Sequence, residues 1–170
     1  MSPPSSDKPA PRRAAPDSRP PQSFRRLIYT GLGLGLAPKM PGTVGTLLGL
    51  PLWWLCSGLS CSAYLGVTLA VFTLGWWAAH KAESDLGRHD APEVVIDEVA
   101  GYLVTMFMAP PLYGVMLWGF VFFRLFDILK PWPVGWADRK LPGAFGVMMD
   151  DVLAGAYAWL SLQLTYIIFF

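Results

Sequence analysis

From Met40 to Ala79 the chain carries no charged residue, and this is the first of several apolar runs that dominate the sequence. Pro51 together with the Ser57 to Ser60 stretch divides it into two helices. The second, over about Ser62 to Ala79, is long enough to cross a hydrocarbon layer of roughly 30 Å. A polar connection between His80 and Glu93, holding Gly87 and Pro92, follows at a membrane surface. Val94 to Ala109 reads as a helix with Asp97 and Glu98 near its start, ended by Pro110 and Pro111. Leu112 to Leu129 forms the next, with Arg124 and Asp127 in its last turns and Pro131 disfavouring helical geometry at Lys130. After a surface connection rich in Trp and Pro, Val152 to Phe170 contributes 19 uncharged residues directly preceded by Asp150 and Asp151. Apolar runs of this length without strand alternation predict an all-α fold, a polytopic helical membrane protein with three to four spans.

Composition agrees with lipid as the solvent. With 54% hydrophobic residues, 8 Trp and 10 Phe against 15% charged residues, the chain carries more apolar surface than a soluble domain of its 170 residues would bury. Trp53, Trp54, Trp76, Trp77, Trp132 and Trp136 fall near predicted span ends, where an aromatic belt is expected. Cys56 and Cys61 sit in apolar surroundings without the spacing of a zinc or redox motif and read as small buried hydrophobes.

Residues 1–23 are dominated by Pro, Ser, Ala and Arg, have no apolar period and are expected to be a disordered basic arm, leaving 24–170 as a single membrane-embedded domain. Up to Arg26 the net charge is +4, whereas the remainder is −3. No apolar core follows the basic start in the manner of a secretory signal, so the arm is expected to stay attached and cytoplasmic. The total of +1 leaves no electrostatic footprint for nucleic acid.

The charges of the second half gather at segment ends: Asp97 and Glu98, then Arg124, Asp127 and Lys130, then Asp150 and Asp151. A lone charge inside lipid costs about 2.5–3.5 kcal/mol on insertion scales, so these groups are expected to face one another or water. As ordinary interfacial residues, Asp150 and Asp151 would simply favour a helix N-terminus and Lys130 a C-terminus. As a set, five carboxylates against two cations need a counter-ion, because like charges 4 Å apart repel by about 4 kcal/mol at an effective dielectric near 20. Oxygen ligands without a His and Cys set favour Mg2+ over zinc, with Arg124 and Lys130 free to bind phosphate oxygens. A Gly- and Pro-rich loop from Gly31 to Thr46 lies just before the first apolar run. Its backbone is able to approach an anion closely, with Thr43 or Thr46 at a helix N-terminus and Lys39 near lipid phosphate; equally it is a helix-connecting turn.

Four stretches in this order, Gly33-Leu-Gly-Leu-Ala-Pro-Lys-Met-Pro-Gly-Thr-Val-Gly-Thr46, Val95-Ile-Asp-Glu-Val-Ala-Gly101, Phe123-Arg-Leu-Phe-Asp-Ile-Leu-Lys-Pro-Trp-Pro133 and Gly146-Val-Met-Met-Asp-Asp151, resemble the type A phosphatidylglycerophosphatase family. The resemblance covers about Gly31 to Gly155. It implies a magnesium-dependent phosphatase of the bacterial inner membrane that converts phosphatidylglycerophosphate to phosphatidylglycerol and inorganic phosphate. It also implies a helical fold peculiar to the family. The acidic positions carried over are Asp97, Glu98, Asp127, Asp150 and Asp151, and the basic ones Arg124 and Lys130. We expect Asp97, Asp127 and Asp151 as metal ligands, with Glu98 and Asp150 as further ligands or as a base aligning water. Metal-activated water and an aspartyl-phosphate intermediate both remain open, as does the oligomeric state. His89 and Asp90 read as surface loop and His80 as an interfacial helix end. An ion-coupled transporter, the chief rival from another class, predicts charges near span centres.

Overall fold

The computed structural model describes residues 24–88 and 91–169. The expected arm over 1–23, the loop pair His89 and Asp90, and Phe170 lie outside the described residues. Seven α-helices follow in order: α1 (Phe24–Tyr29), α2 (Pro41–Cys56), α3 (Cys61–Leu86), α4 (Ile96–Thr105), α5 (Tyr113–Leu129), α6 (Val134–Lys140) and α7 (Gly143–Phe169), with a 3-10 turn at Leu34–Leu36. The all-α expectation holds, with no strand among the described residues. Two helices, α3 with 26 residues and α7 with 27, are long and apolar enough to cross a membrane. At 1.5 Å per residue they reach about 39 and 40 Å. The other apolar helices are shorter, α2 with 16 residues and α5 with 17. They extend about 24 and 26 Å, short of the roughly 30 Å core, so fewer helices qualify than the three to four spans anticipated.

Several boundaries move, each for a physical reason. The break after α2 falls at Ser57–Ser60 as anticipated, and Ser60 caps α3 by accepting from the Ala63 amide. Pro51, however, lies inside α2. Helix α3 does not stop at Ala79 but runs to Leu86, where Gly87 at φ 65° ends it. Gly75, Ala78, Ala79 and Ala82 are buried at helical spacing along this face, so the amphipathic stripe continues beneath a polar-looking surface. Arg25 pairs with Asp85 at 2.7 Å and fastens α1 to the end of α3. Part of the expected surface connection after Pro133 is helix α6. Most consequential, α7 begins at Gly143, so Asp150 and Asp151 sit two turns inside a helix rather than ahead of it, and the interfacial N-terminus explanation for them fails.

The short α4 occupies the centre, with Val99, Ala100, Gly101, Tyr102, Leu103 and Thr105 all buried. Small residues allow α7 to cross it closely. A Cβ on Gly155 would lie 2.4 Å from the Gly101 carbonyl oxygen, and one on Gly101 would lie 2.7 Å from the Asp151 carbonyl oxygen. Lipid supplies no hydrophobic force between helices, so such close contact is how they associate. Buried hydroxyls serve the same core: Tyr64 donates to the Leu103 carbonyl at 2.7 Å and Tyr102 to the Met116 carbonyl at 3.0 Å. Trp53 is fully buried here instead of joining an interfacial belt, whereas Trp54, Trp76, Trp77, Trp132 and Trp136 are exposed. Cys56 is buried as expected, but Cys61 is exposed at the start of α3.

Enlarging the crossing is therefore costly. Gly155→Val is expected to lower unfolding stability by about 1–3 kcal/mol, read as a drop in the denaturation midpoint in detergent. Gly66→Ala, which meets nothing within 4 Å, should change it by no more than about 0.5 kcal/mol. Equal losses in the two variants would refute the close α4–α7 packing.

Candidate active site

The crossing of α4 and α7 delivers carboxylates to one place. Asp97 and Glu98 occupy the first turn of α4, where a helix N-terminus favours negative charge. The preceding residue is anchored by a hydrogen bond from the Val95 amide to the Tyr29 carbonyl at 2.8 Å. Opposite, Asp150 and Asp151 project from the second and third turns of α7. Consecutive helical residues diverge by about 100°. The two aspartates accordingly serve different neighbours: Asp150 accepts from the Lys130 ammonium at 2.6 Å, while Asp151 meets Asp97 and Glu98. One carboxylate oxygen from each of Asp97, Glu98 and Asp151 lies within 4.8 Å of the others.

Helix α5 brings the cations. Arg124 and Asp127 stand one turn apart and pair at 2.6 Å, and Arg124 also reaches to 4.0 Å from Glu98. Lys130 ends α5 in a left-handed conformation, φ 43°, which turns its side chain back towards α6 and α7. There its ammonium binds both Asp150 and Asp138. Asp138, on α6, escaped the sequence reading because it lies in a segment taken for a surface connection. No spacing rule ties it to Lys130.

All five carboxylates, with Arg124 and Lys130, line a single cavity of about 270 Å³ whose remaining wall includes Met40 to Gly42 at the start of α2. Gly42 is required by proximity: a Cβ there would lie 2.2 Å from Glu98 Oε1 and 3.2 Å from Arg124 Nη1. This brings the first turn of α2, with amides that the helix itself leaves unbonded, to the cavity edge. The other loop candidates stand apart from the lining. Lys39 is exposed, Thr43 is half-buried, and Thr46 is fully buried with its hydroxyl donating to the Gly42 carbonyl at 2.9 Å. Asp127, expected as a ligand beside Asp97 and Asp151, lines the same cavity and pairs with Arg124, while Glu98, expected as a further ligand or a base, stands with Asp97 and Asp151 in the tight trio.

The electrostatics of this cluster are adverse by themselves. Burial raises the Asp97 carboxyl well above the usual range, and the neighbouring Glu98 charge adds to it. Glu98 is pushed up to about 8, first by burial and then by the Asp151 charge. Glu98 Oε2 and Asp151 Oδ2 are buried without any hydrogen-bond donor from the protein. Buried acceptors left in that state are destabilising unless something else satisfies them. An all-oxygen trio with orphaned lone pairs fits a hard divalent cation, and the neighbouring arginine and lysine suit an anion bearing several oxygens.

Comparison with known proteins points the same way. A family model described as Phosphatidylglycerophosphatase A matches residues 27–166. The chain is 38% identical over 130 residues, 76% of each chain, to Phosphatidylglycerophosphatase A of Escherichia coli (strain K12). It is 41% identical over 134 residues, 78% of this chain and 82% of the relative, to the Haemophilus influenzae protein of the same name. A Bacteroides thetaiotaomicron protein named putative phosphatidylinositol-3-phosphatase is 41% identical over 147 residues, 80% of this chain and 89% of its own. No solved structure matches.

A divalent ion bound by the trio would stabilise the folded state by mass action. Adding a divalent cation at about 100 times its dissociation constant is expected to raise stability by about 2.7 kcal/mol, read as a higher melting midpoint in detergent. Asp151→Asn should abolish that rise while leaving the ion-free protein at least as stable, since a buried charge repulsion is removed. An undiminished rise in the variant would take Asp151 out of the cation site.

Proposed function

Because this chain belongs to the phosphatidylglycerophosphatase A family, we propose that it is a magnesium-dependent lipid phosphatase hydrolysing phosphatidylglycerophosphate to phosphatidylglycerol and inorganic phosphate at the cytoplasmic face of the bacterial inner membrane. The observation that carries this reading is the single cavity in which carboxylates from α4, α5 and α7 meet one arginine and one lysine. Asp97, Glu98 and Asp151 would hold the ion, with Asp127 and Asp150 close enough to the same cavity to align water or share its charge. Bound there, Mg2+ supplies Lewis-acid neutralisation of phosphoryl charge and lowers the pKa of water.

The remaining work falls to the chain's own groups. Arg124, oriented by Asp127, and Lys130, oriented by Asp138 and Asp150, present donors to the phosphate oxygens and stabilise charge that grows as the bond to the glycerol oxygen breaks. Water adds to phosphorus, the glycerol oxygen leaves, and a proton is delivered to it so that the products are an alcohol and inorganic phosphate. An aspartate adding first and being hydrolysed second yields the same products. Quenching during turnover in the presence of hydroxylamine, which converts an aspartyl phosphate into a stable hydroxamate and leaves a free carboxylate untouched, separates the two routes.

Membrane orientation draws on the distribution of cations. Arg25, Arg26, Lys39, Lys81, Arg88, Arg124, Lys130, Arg139 and Lys140, all the described lysines and arginines, belong to the end of the bundle that carries the cavity. The connections at the opposite end, Ser57–Ser60 and Met106–Leu112, have none. Positive charge concentrated on one side favours its retention in the cytoplasm.

Purified protein is expected to release phosphate from phosphatidylglycerophosphate with Mg2+ and to stop on chelation. Asp97→Asn should abolish turnover, and Arg124→Gln should lower kcat by about 100-fold. Wild-type turnover in Asp97→Asn would remove that residue from the site. A panel including phosphatidic acid and phosphatidylinositol 3-phosphate decides selectivity, the latter because of the name of the Bacteroides relative. Orientation has its own check: in intact spheroplasts a membrane-impermeant maleimide should label Cys61, whereas a cysteine placed by Lys140→Cys should react only after lysis. The reverse pattern would turn the molecule over.

A further inference from the structure

Helix α6 has two dissimilar faces. Inwards, Val134 and Ala137 are fully buried, and Asp138 grips the Lys130 ammonium, which also binds Asp150. The fit is close: a Cβ on Gly135 would lie 2.6 Å from the Lys130 carbonyl oxygen. Outwards, Trp136, Arg139 and Lys140 stand at helical spacing on one stripe, and all three are exposed. Trp132, just ahead of α6, is 79% exposed. Pro131 and Pro133 flank it, and its carbonyl accepts from the Tyr157 hydroxyl of α7 at 3.0 Å, so the backbone there is fixed while the indole stays outside.

The same contacts set the level of this stripe along the bundle. Tyr157 lies about 21 Å along α7, beside the end of the apolar α5 at Leu129. From there α6 climbs next to the first turns of α7 towards the end of the bundle that holds the lysines and arginines. Two indoles where the apolar length ends, with two cations following them, reproduce the order of groups at a bilayer surface. Neither Arg139 nor Lys140 has an acidic partner among the described residues, since the adjacent Asp138 is turned to Lys130. A zwitterionic headgroup would bring an ammonium against these cations. A phosphodiester with net negative charge brings none.

We propose that the outer face of α6, formed by Trp132, Trp136, Arg139 and Lys140, binds anionic phospholipid of the surrounding bilayer, and that this contact steadies α6 and, through Asp138, the phosphate-binding Lys130. Bilayer composition thereby regulates turnover. The link to turnover rests on the lipid-phosphatase reading above, whereas the contact itself requires only a bilayer.

The contact is tested without turnover by native mass spectrometry of the detergent-purified chain with short-chain phosphatidylserine or phosphatidylcholine. Wild type is expected to favour phosphatidylserine, and Arg139→Gln and Lys140→Gln each to lower that preference about fivefold. Arg139→Lys should retain it, as should Lys81→Gln, which removes a charge from the same end of the bundle. Equal losses in Lys81→Gln and the α6 variants would mean diffuse attraction to a positive surface, and an undiminished preference in the α6 variants would also overturn the site. Turnover is then measured in nanodiscs holding phosphatidylglycerophosphate at a fixed low fraction. Phosphatidylserine, which carries no phosphomonoester, is neither substrate nor product there. Replacing part of the phosphatidylcholine with it should raise wild-type kcat about threefold and leave the Arg139→Gln, Lys140→Gln double variant at its starting rate. Activation that survives in the double variant overturns the link to Lys130. Should wild type release no phosphate at all, the reaction assignment fails, and the mass-spectrometric arm still decides whether α6 holds anionic lipid.

Discussion

Bringing Asp97, Glu98 and Asp151 together against their mutual repulsion is the constraint around which the rest of this molecule is arranged. Three carboxylates with oxygens inside 4.8 Å of one another, away from bulk water, are held only by a scaffold that cannot relax. The scaffold is the Gly101–Gly155 crossing, where helix backbones touch and leave the acidic residues no freedom to separate. Arg124 and Lys130 temper the charge from the side without neutralising the trio, which leaves Glu98 Oε2 and Asp151 Oδ2 unsatisfied. An arrangement that is unfavourable alone and favourable with a cation and a phosphate is a common physical basis for a site that binds both.

The positions of the cations follow from the same constraint. Each is tethered by an acidic residue that is not part of the trio: Arg124 by Asp127, Lys130 by Asp138 and Asp150. Tethering lowers the entropy lost when a phosphate is bound and directs the donors into the cavity. It also divides labour within the doublets. Asp150 belongs to the lysine and Asp151 to the trio, although they are neighbours in sequence.

Lipid as solvent explains what surrounds the site. Helices α3 and α7 are long enough to set the molecule across a bilayer, while α2, α4 and α5 are shorter. Their ends near the cavity are where Arg124, Lys130 and the α2 turn converge. A separate cavity of about 380 Å³ adjoins this region across Pro41 and Pro92.

Much of this was legible in the order of residues, because lipid demands long apolar helices and tolerates charge only where it has partners. The helical class, the break at Ser57–Ser60, the proline-terminated α5 and the identity of five carboxylates and two cations around one cavity all followed from that rule and from the family motifs. Other features depend on contacts between distant segments, for which local pattern carries no signal. The extension of α3 to Leu86 rests on Ala82 packing against α1 and α7, and the start of α7 at Gly143 places Asp150 and Asp151 inside a helix. The partnership of Asp138 with Lys130, the closeness of Glu98 to Asp97 and Asp151, the burial of Trp53 and the exposure of Cys61 were likewise decided in three dimensions. Sequence determined which groups are too costly to leave alone in a membrane; only the close crossing of α4 and α7 determined which of them face each other.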